Sequence, residues 1–526
     1  MLTLVYGKDW TANREYILNM LAEDVVACRS NRILLVPELI SHDTERRVCA
    51  LAGDTCSRYA EVVSFSRLTR RICDWVGCGM QDCLDNGGRL VAMAAAARQL
   101  HSSLKAYAAM ETKPEFLTAL VDAVDEFKRC CITAEDLSSA SKNTQGAFAQ
   151  KLEELALLLE AYDAICKQGK RDPRDQLTWG LEQLQDSDFA QSHVFYIDGF
   201  PDFTMQNLSV ITHLIVHAPQ VIIGMNCDKP GSGNLAFSKA GDTASTFLRV
   251  AKQNDIPVRM IEVPAKQTHF NPLYDTLFQG HITPLPNIGD NLHVLPADSI
   301  YEECVLAAEH ILELVHRGAR YRDISVVCGD LPAYRNMLSM YLSMCHIPVY
   351  ISGTEDILEK SVITTVLAAL DAATGSWDTK EILRYIKSAL SPVCLEDCDK
   401  IENYVIQWGI EGSKWLTDWT MHPEGLQEVW TDQNIRELES LNEIRQIFMS
   451  PLRKLSESFR KATTVNQQVM GIYAYFEDIC LQSRLSELAS KMDTSGDNRS
   501  AQILNQLWDI LLSALEQLND VLGQSQ

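Results

Sequence analysis

Residues 4–18 read LVYGKDWTANREYIL, an apolar run followed by a glycine-containing loop and the start of an amphipathic segment. This order is typical of the strand, loop and helix that bind a nucleotide phosphate. Such a loop needs a lysine for the phosphates and a serine or threonine for Mg²⁺. When the stretch is aligned on Gly7, Asn13 stands at the lysine position and Arg14 at the hydroxyl position. The sequence therefore predicts a phosphate loop that has lost its ligands.

Composition predicts a folded protein of several domains. The chain has 526 residues, of which 46% are hydrophobic and 22% charged. Chains of this length and composition bury sizeable cores. We find no apolar run of membrane-spanning length and no signal-peptide pattern. The 16 cysteines are irregularly spaced, which favours free thiols over a disulfide framework. We therefore expect a cytoplasmic protein without a membrane segment.

The charge is strongly acidic. Lys and Arg number 47 against 70 Asp and Glu, which gives a net charge of −23. Such a chain repels a polyanion at long range, which argues against a general nucleic-acid coat protein. Any contact with DNA must then depend on a local group of residues or on a partner that supplies positive charge.

Apolar periodicity divides the chain into sheet-forming and helical parts. Short apolar runs predict buried parallel strands at 32–39, 60–68, 193–200, 220–228, 323–330 and 347–352. Helical periodicity fills 88–168, where Leu155, Leu158, Leu159 and Tyr162 share one face, and returns after residue 376. The predicted class is α/β, with two parallel-sheet domains that each carry a largely α-helical insertion.

The predicted boundaries follow from these runs. A segment rich in Pro, Gly and Asn, 264–300, is expected to connect the two sheet domains. The predicted parts are 1–74 plus 186–285 for the first α/β domain, 75–185 for its helical insertion, 286–375 for the second α/β domain and 376–526 for an incomplete helical insertion.

Several collinear motifs carry a resemblance to a known family. They are LLVPE (34–38), VSFSRLTRRI (63–72), VFYIDGFPDFT (194–204) and RYRDISVVCGDLPAY (320–334). In this order they resemble AddB, the non-motor subunit of bacterial AddAB helicase–nucleases, over residues 2 to about 420. The resemblance implies a superfamily 1 helicase-like fold with two P-loop-type (RecA-like) domains, and a role in double-strand break repair by homologous recombination.

The resemblance also locates a degenerate nucleotide site formed by Gly7, Asn13, Arg14 and Asp198. In motor helicases the corresponding strand ends in Asp-Glu, where Asp holds Mg²⁺ and Glu activates water. Here Gly199 follows Asp198, and Gly329 stands where an arginine is usual. The sequence thus predicts no ATP hydrolysis by this chain.

In AddB proteins the former motor surface scans single-stranded DNA for a short Chi sequence. The resemblance assigns this role to seven residues: Leu39, Ser41, Phe65, Arg67, Arg70, Phe200 and Phe203. Aromatic rings stack on bases, and guanidinium groups bind guanine edges or phosphates. Relatives usually have an amide side chain at position 39 and many have Trp at position 70, so this chain departs from the pattern there. Core packing is the alternative interpretation of each aromatic residue.

Complete AddB proteins also carry a nuclease domain with Mg²⁺ and a 4Fe–4S cluster held by cysteines. We find no convincing nuclease run here, and neither Cys73, Cys78 and Cys83 nor the Cys394–Cys398 pair has cluster spacing. The resemblance therefore implies no cofactor in this segment, which is expected to be an N-terminal portion ending at Gln526. The implied partners are an AddA-type helicase/nuclease subunit, as a heterodimer, and single- and double-stranded DNA.

Three interpretations stay open. The first is an ATPase-inactive, DNA-scanning segment that docks to the motor subunit. The second is an ATP-driven translocase with an atypical loop. The third is a structural scaffold for the motor that does not touch DNA.

Overall fold

The computed structural model describes residues 1–523 except 81, 108, 109, 111, 112, 232, 233, 267–269, 277–291, 353–356, 358, 359 and 427. The chain divides into two units, one of Met1–Pro284 with Thr365–Gln526 and one of Leu285–Thr364. The middle of the predicted connection, 277–291, lies outside the described residues. The four-part domain layout therefore stays a prediction.

Six strands in the described residues form one sheet in which every pairing is parallel. The strands are β1 (Leu2–Tyr6), β2 (Arg32–Leu35), β3 (Ala60–Val63), β4 (Val194–Ile197), β5 (Gln220–Met225) and β6 (Val258–Glu262). Their order across the sheet is β3-β2-β4-β5-β1-β6. The predicted strands at 32–39 and 193–200 lie in this sheet as neighbours, with Leu35 opposite Ile197. The α/β class is thereby confirmed.

Helices cover both faces of the sheet, as a parallel sheet requires. The helices that follow the first three strands are α1 (Trp10–Val26), α2 (Ser41–Ala52) and α3 (Phe65–Val76). α1 and α2 pack on the face that contains Val5, Leu34 and Ile222. α3 packs on the opposite face, against Leu35 and Phe195.

A helical segment interrupts the sheet between β3 and β4. Its helices are α4 (Asn86–Gln99), α5 (Pro114–Arg129), α6 (Ala134–Lys142), α7 (Ala147–Gln168), α8 (Gln176–Gln185) and α9 (Phe189–Ser192). Leu158, Leu159 and Tyr162 of α7 are buried in its core, as their spacing predicts. This core also contains buried charged side chains. Asp172 accepts hydrogen bonds there from Lys128 (3.2 Å) and from the Tyr162 hydroxyl (2.8 Å).

The helices after β4 complete the sheet layer and then continue to the end of the described chain. They are α10 (Met205–His217), α11 (Ser238–Gln253), α12 (Asn271–Thr276), α13 (Ile300–His316), α14 (Leu331–Met344), α15 (Ser361–Thr374), α16 (Thr379–Ile386), α17 (Leu395–Trp408), α18 (Asp432–Lys461), α19 (Val465–Asp478), α20 (Leu481–Thr494) and α21 (Asn498–Leu522). α10 and α11 join α3 on its face of the sheet. None of the helices in the described ranges combines the length and the apolar run needed to cross a bilayer.

The last helix, α21, returns to the first helical segment. The side-chain oxygen of Gln517 accepts a hydrogen bond from Asp85 N (2.9 Å), immediately before α4. A Cβ atom on Gly88 would lie 2.3 Å from this oxygen, so glycine permits the close approach of the two helices. Lys170 pairs with Asp520 at 3.1 Å. The end of the chain thus closes one side of the helical segment.

Two strands that were predicted within the unit Leu285–Thr364 do not form. Residues 324–328 and 347–352 contain no strand, and Val327 and Tyr350 are 92% and 90% exposed. An apolar run forms a strand only where a neighbouring strand satisfies its N–H and C=O groups, and the described residues of this unit offer none. α13 and α14 pack on each other instead, through residues that include Ala308 and Leu338.

Candidate functional site

The glycine loop of residues 7–9 joins β1 to α1 at the carboxyl edge of the sheet. Asp9 caps α1 by accepting hydrogen bonds from the backbone of Thr11 (3.0 Å) and Ala12 (3.2 Å). The ends of β4 and β5 lie beside the loop, and a cleft of about 340 Å³ opens between them. Ligands of such folds usually bind at this edge. We refer to it as the loop cleft; its lining includes Trp10, Asn13, Asp198, Phe200 and Asn226.

Asn13 is bonded to the protein backbone. Its side-chain nitrogen donates to Gly7 O (2.9 Å) and to Met225 O (3.2 Å), and the residue is 3% exposed. A Cβ atom on Gly7 would lie 2.4 Å from Val263 O, so the loop backbone fits only with glycine here. The side chain at the lysine position therefore holds the loop to β5 instead of extending toward a phosphate.

Arg14 faces Asp198 inside the protein. Arg14 Nε lies 3.7 Å from Asp198 Oδ2, and the two side chains are 4% and 6% exposed. Among the described residues neither atom has a hydrogen-bond partner, so the pair interacts through charge. Arg14 also donates to the Thr44 hydroxyl and lies 5.5 Å from the centre of the Trp10 ring. A guanidinium therefore stands beside the carboxylate that would bind Mg²⁺, and these residues do not fit a metal ion.

Burial shifts the ionisation of both groups. It raises the pKa of Asp198 to about 6, although the Arg14 charge and the backbone N–H of Gly199 act in the opposite direction. Burial likewise lowers the pKa of Arg14. The carboxylate is thus charged at neutral pH and becomes neutral in mildly acidic solution.

The four residues predicted for the degenerate site are brought together by the fold. Gly199 has φ +80° and ends β4 in a turn, with no carboxylate next to Asp198. Two contacting residues were missed by the sequence analysis. Thr44 carries no local signal, whereas Asn226 is a polar residue directly after a buried strand. In its hydrogen-bonded orientation the Asn226 amide donates to Gly7 O at 3.1 Å.

The seven residues predicted to contact DNA differ in how far they are exposed to solvent. Leu39 is 98% exposed, and Arg67 and Arg70 lie at the surface. Phe65 and Phe200 are half-buried and meet edge to face with ring centres 5.4 Å apart. These five residues, Leu39, Phe65, Arg67, Arg70 and Phe200, are called the edge surface below.

Ser41 and Phe203 were also predicted to contact DNA, but both are buried. The Ser41 hydroxyl donates to Glu38 O (2.9 Å), and Ser41 is 4% exposed. Phe203 is 8% exposed and packs on Phe247 with ring centres 5.8 Å apart. The first side chain completes a turn and the second fills the core, so neither belongs to the edge surface.

The segment around Arg67 is the start of α3, and the strand predicted for 60–68 ends at Val63. Ser64 caps this helix by accepting a hydrogen bond from Arg67 N (3.4 Å), which is the usual role of serine before a helix. Arg67 Nε lies 3.6 Å from a carboxylate oxygen of Glu38, and both side chains are more than half exposed. Such an exposed pair is weak, so the guanidinium can exchange its partner for a ligand.

The cysteines do not assemble into a metal centre in the described part of the chain. Within it no group of three or more His, Cys, Asp or Glu side chains is arranged to hold a metal ion. The residues that the structure describes therefore do not fit an iron–sulfur cluster.

The comparison with protein families decides the relationship. Residues 4–273 match the family model described as ADDB, N-terminal. The chain belongs to the AddB family. A second model, the UvrD-like helicase C-terminal domain, matches residues 259–521. The fold is therefore α/β and superfamily 1 helicase-like, as the AddB resemblance implied.

Individual AddB relatives are named as a subunit of an ATP-dependent helicase/deoxyribonuclease. Those of Clostridium botulinum (strain Langeland) and of a Thermoanaerobacter species are 25% and 26% identical, over 100% of this chain and 47% of their own length. The relative of Acetivibrio thermocellus is 24% identical over 99% of the chain and 47% of its own length. The chain thus spans about half the length of the curated AddB relatives it matches.

Proposed function

We propose that the chain is the N-terminal, ATPase-inactive part of an AddB-type helicase/deoxyribonuclease subunit. In this proposal it docks to an AddA-type motor in the cytoplasm and contacts single-stranded DNA during recombinational repair, scanning for a Chi-type sequence. The Mg²⁺ and the iron–sulfur cluster of complete family members are assigned to sequence outside this chain.

The buried Arg14–Asp198 pair is the observation that carries the proposal. ATP hydrolysis by this fold needs a lysine on the phosphates and a carboxylate for Mg²⁺. Asn13 is bonded to backbone oxygens and Asp198 faces an arginine. A nucleotide phosphate at this position would have to separate the ion pair, which supports a role without ATP.

The edge surface supports contact with DNA. Arg67 and Arg70 are exposed on α3, the helix that begins with the half-buried Phe65, and Phe65 meets Phe200 at the edge of the sheet where such folds bind ligands. Guanidinium groups next to aromatic rings are the combination that binds single strands. In a chain with net charge −23, DNA affinity that no partner supplies has to depend on such a local group.

One observation favours the scaffold alternative. Phe65 and Phe200 contact each other, and both pack against the buried core of the sheet. Rings used in this way stabilise the fold whether or not DNA binds. An assay that separates stability from affinity is therefore needed.

Titration calorimetry with a non-hydrolysable ATP analogue tests the proposal that the chain does not use ATP. We expect no measurable heat of binding for the chain. Micromolar affinity that is unchanged by Asn13→Lys would instead favour the translocase alternative.

Fluorescence anisotropy with short single strands of different sequence tests the second half. Arg67→Ala should weaken binding to preferred strands by about 1–3 kcal/mol, the value of a lost bidentate base contact. Arg71→Ala is the matched control, because Arg71 lies on the same helix, is 51% exposed and pairs with Glu61 at 2.8 Å. Unchanged affinity for every strand in both variants, in complex with the motor subunit as well, would support the scaffold alternative.

A further inference from the structure

A second cleft opens next to the edge surface. It has a volume of about 190 Å³ and lies between the first turn of α3, the turn at 173–175 and the first turn of α10. Arg129 and Arg174 line it together with Phe65, Ser66 and Asn207. We call it the junction cleft, since it lies where the sheet layer meets the helical segment.

The lining of the junction cleft has a charge opposite to that of the chain. Two arginines line it and none of the described lining residues is Asp or Glu, although the chain has 70 acidic and only 47 basic residues. The loop cleft, by comparison, includes Asp198 in its lining and no arginine or lysine. The junction cleft is therefore suited to an anion.

Both arginines share one counter-ion. Arg174 contacts the Asp125 carboxylate through Nε (2.8 Å) and Nη2 (2.7 Å), and Arg129 Nη2 lies 3.9 Å from the same carboxylate. Asp125 also accepts a hydrogen bond from Arg89. The Arg129 side chain is half exposed. One carboxylate thus serves several guanidiniums, and Arg129 is the one available to a ligand.

Neutral hydrogen-bond donors surround the arginines. Ser66 is in the first turn of α3, and Asn207 is in the first turn of α10, where Thr204 forms the cap. The first N–H groups of a helix have no partner within the helix, and they add positive potential to the charge of the arginines. A tetrahedral oxyanion with several acceptor atoms suits this combination.

We propose that the junction cleft binds a backbone phosphate of the single strand whose base contacts Phe65. This inference rests on the proposed DNA contact and extends it, because the strand then passes from the sheet edge onto α5 and the 173–175 turn. Phe65 lines both the edge surface and the junction cleft, so one nucleotide reaches both. The phosphate carries no sequence information, so the cleft positions the strand while Arg67 and Arg70 contact bases.

Salt-dependent binding of oligothymidylate to the 526-residue chain tests this inference. Arg129→Gln should weaken binding roughly tenfold at low salt, as for one lost charge-assisted hydrogen bond. It should also reduce the slope of log affinity against log salt by about 0.7, the contribution of one phosphate on a single strand. The loss should be equal for all sequences, and Arg129→Lys should retain the slope.

Arg317→Gln is the matched control, because Arg317 is exposed directly after α13 and also pairs with a carboxylate four residues earlier, Glu313. It should leave affinity and slope unchanged. Thermal unfolding of each variant shows whether a loss of binding is a loss of folding. If Arg129→Gln fails to fold, the same slope is measured on Asn207→Ala, which keeps both arginines and should weaken binding without changing the slope.

The outcomes separate the inference from the proposed function. If Phe65→Ala weakens binding and Arg129→Gln leaves affinity and slope unchanged, the inference is overturned and DNA contact at the edge surface stands. If the unaltered chain, alone and with the motor subunit, binds no single strand, both are overturned. If inorganic phosphate binds in an Arg129-dependent manner while DNA affinity does not depend on Arg129, the cleft serves a free phosphate compound and the inference is wrong.

Discussion

Replacing Arg14 with methionine tests whether the buried ion pair holds the loop cleft together. The substitution leaves the Asp198 carboxylate, 6% exposed, without its counter-charge. Removing one partner of a buried pair costs about 3–5 kcal/mol, because an unpaired charge then stays in the protein interior. We expect the free energy of unfolding of Arg14→Met to fall by about this amount at pH 8.

The pH dependence of this effect has a defined sign. Burial raises the folded-state pKa of Asp198 from 3.8 to about 6, so the native state keeps a proton that the unfolded chain has released. Stability therefore decreases as pH rises through this window, by roughly 3 kcal/mol for a shift of about two units. Without Arg14 the pKa rises further and Asp198 is neutral at pH 5. The cost of Arg14→Met should then be much smaller at pH 5 than at pH 8.

Urea unfolding followed by circular dichroism at the two pH values measures both quantities. The double variant Arg14→Met/Asp198→Asn should recover most of the loss, since it removes both charges. Arg47→Gln serves as the control, because Arg47 is 51% exposed and pairs with Asp43 on the surface. It should change stability by less than about 0.5 kcal/mol. A loss for Arg14→Met below about 1 kcal/mol, equal at pH 5 and pH 8, would refute the reasoning, since exposed pairs already have that value.

Three further substitutions have defined outcomes. Asp172→Ala leaves Arg89 and Lys128, which lie 3.3 and 3.2 Å from its carboxylate, as buried cations without this partner. We expect a loss of about 3–5 kcal/mol and faster hydrogen exchange in α4–α8, and unchanged exchange there would contradict this. Asn13→Ala removes the side-chain hydrogen bonds to Gly7 O and Met225 O and should cost about 1–3 kcal/mol in urea unfolding, without creating ATP binding. Trp415→Ala removes a side chain that is 0% exposed and should cost about 3–5 kcal/mol, with a smaller loss for Trp415→Phe.

The central strands of the sheet were predictable because a parallel sheet is buried on both faces. Its strands then appear as short apolar runs, as at 32–35 and 194–197. The edge strand β6 reads VRMIE, with Val258 and Met260 more than 40% exposed, and gave no such signal. The runs at 323–330 and 347–352 have strand composition without a strand. The apolar composition of a run indicates that the run tends to be buried. Whether it forms a strand depends on a neighbouring strand that is distant in the chain.

The candidate site, like the sheet, was predictable only in part. The loss of the lysine and the hydroxyl is a local fact that the loop sequence shows directly. That Arg14 meets Asp198 is a contact between α1 and the residue directly after β4, and nothing near either residue indicates it. The Ser64 cap was readable locally, but the apolar run at 60–68 spans the boundary between β3 and α3 and led to the prediction of one continuous strand.

The contact of α21 with the start of α4 has a consequence for synthesis of the chain. Asp85 and Gln517 are 432 positions apart, so a ribosome that adds about 5–20 residues per second needs roughly 20–90 seconds to make the second after the first. During that interval α4 has emerged while the helix that packs around Gly88 does not yet exist. The nascent protein therefore presents an uncovered helical surface throughout that interval, and molecular chaperones have that time to bind it.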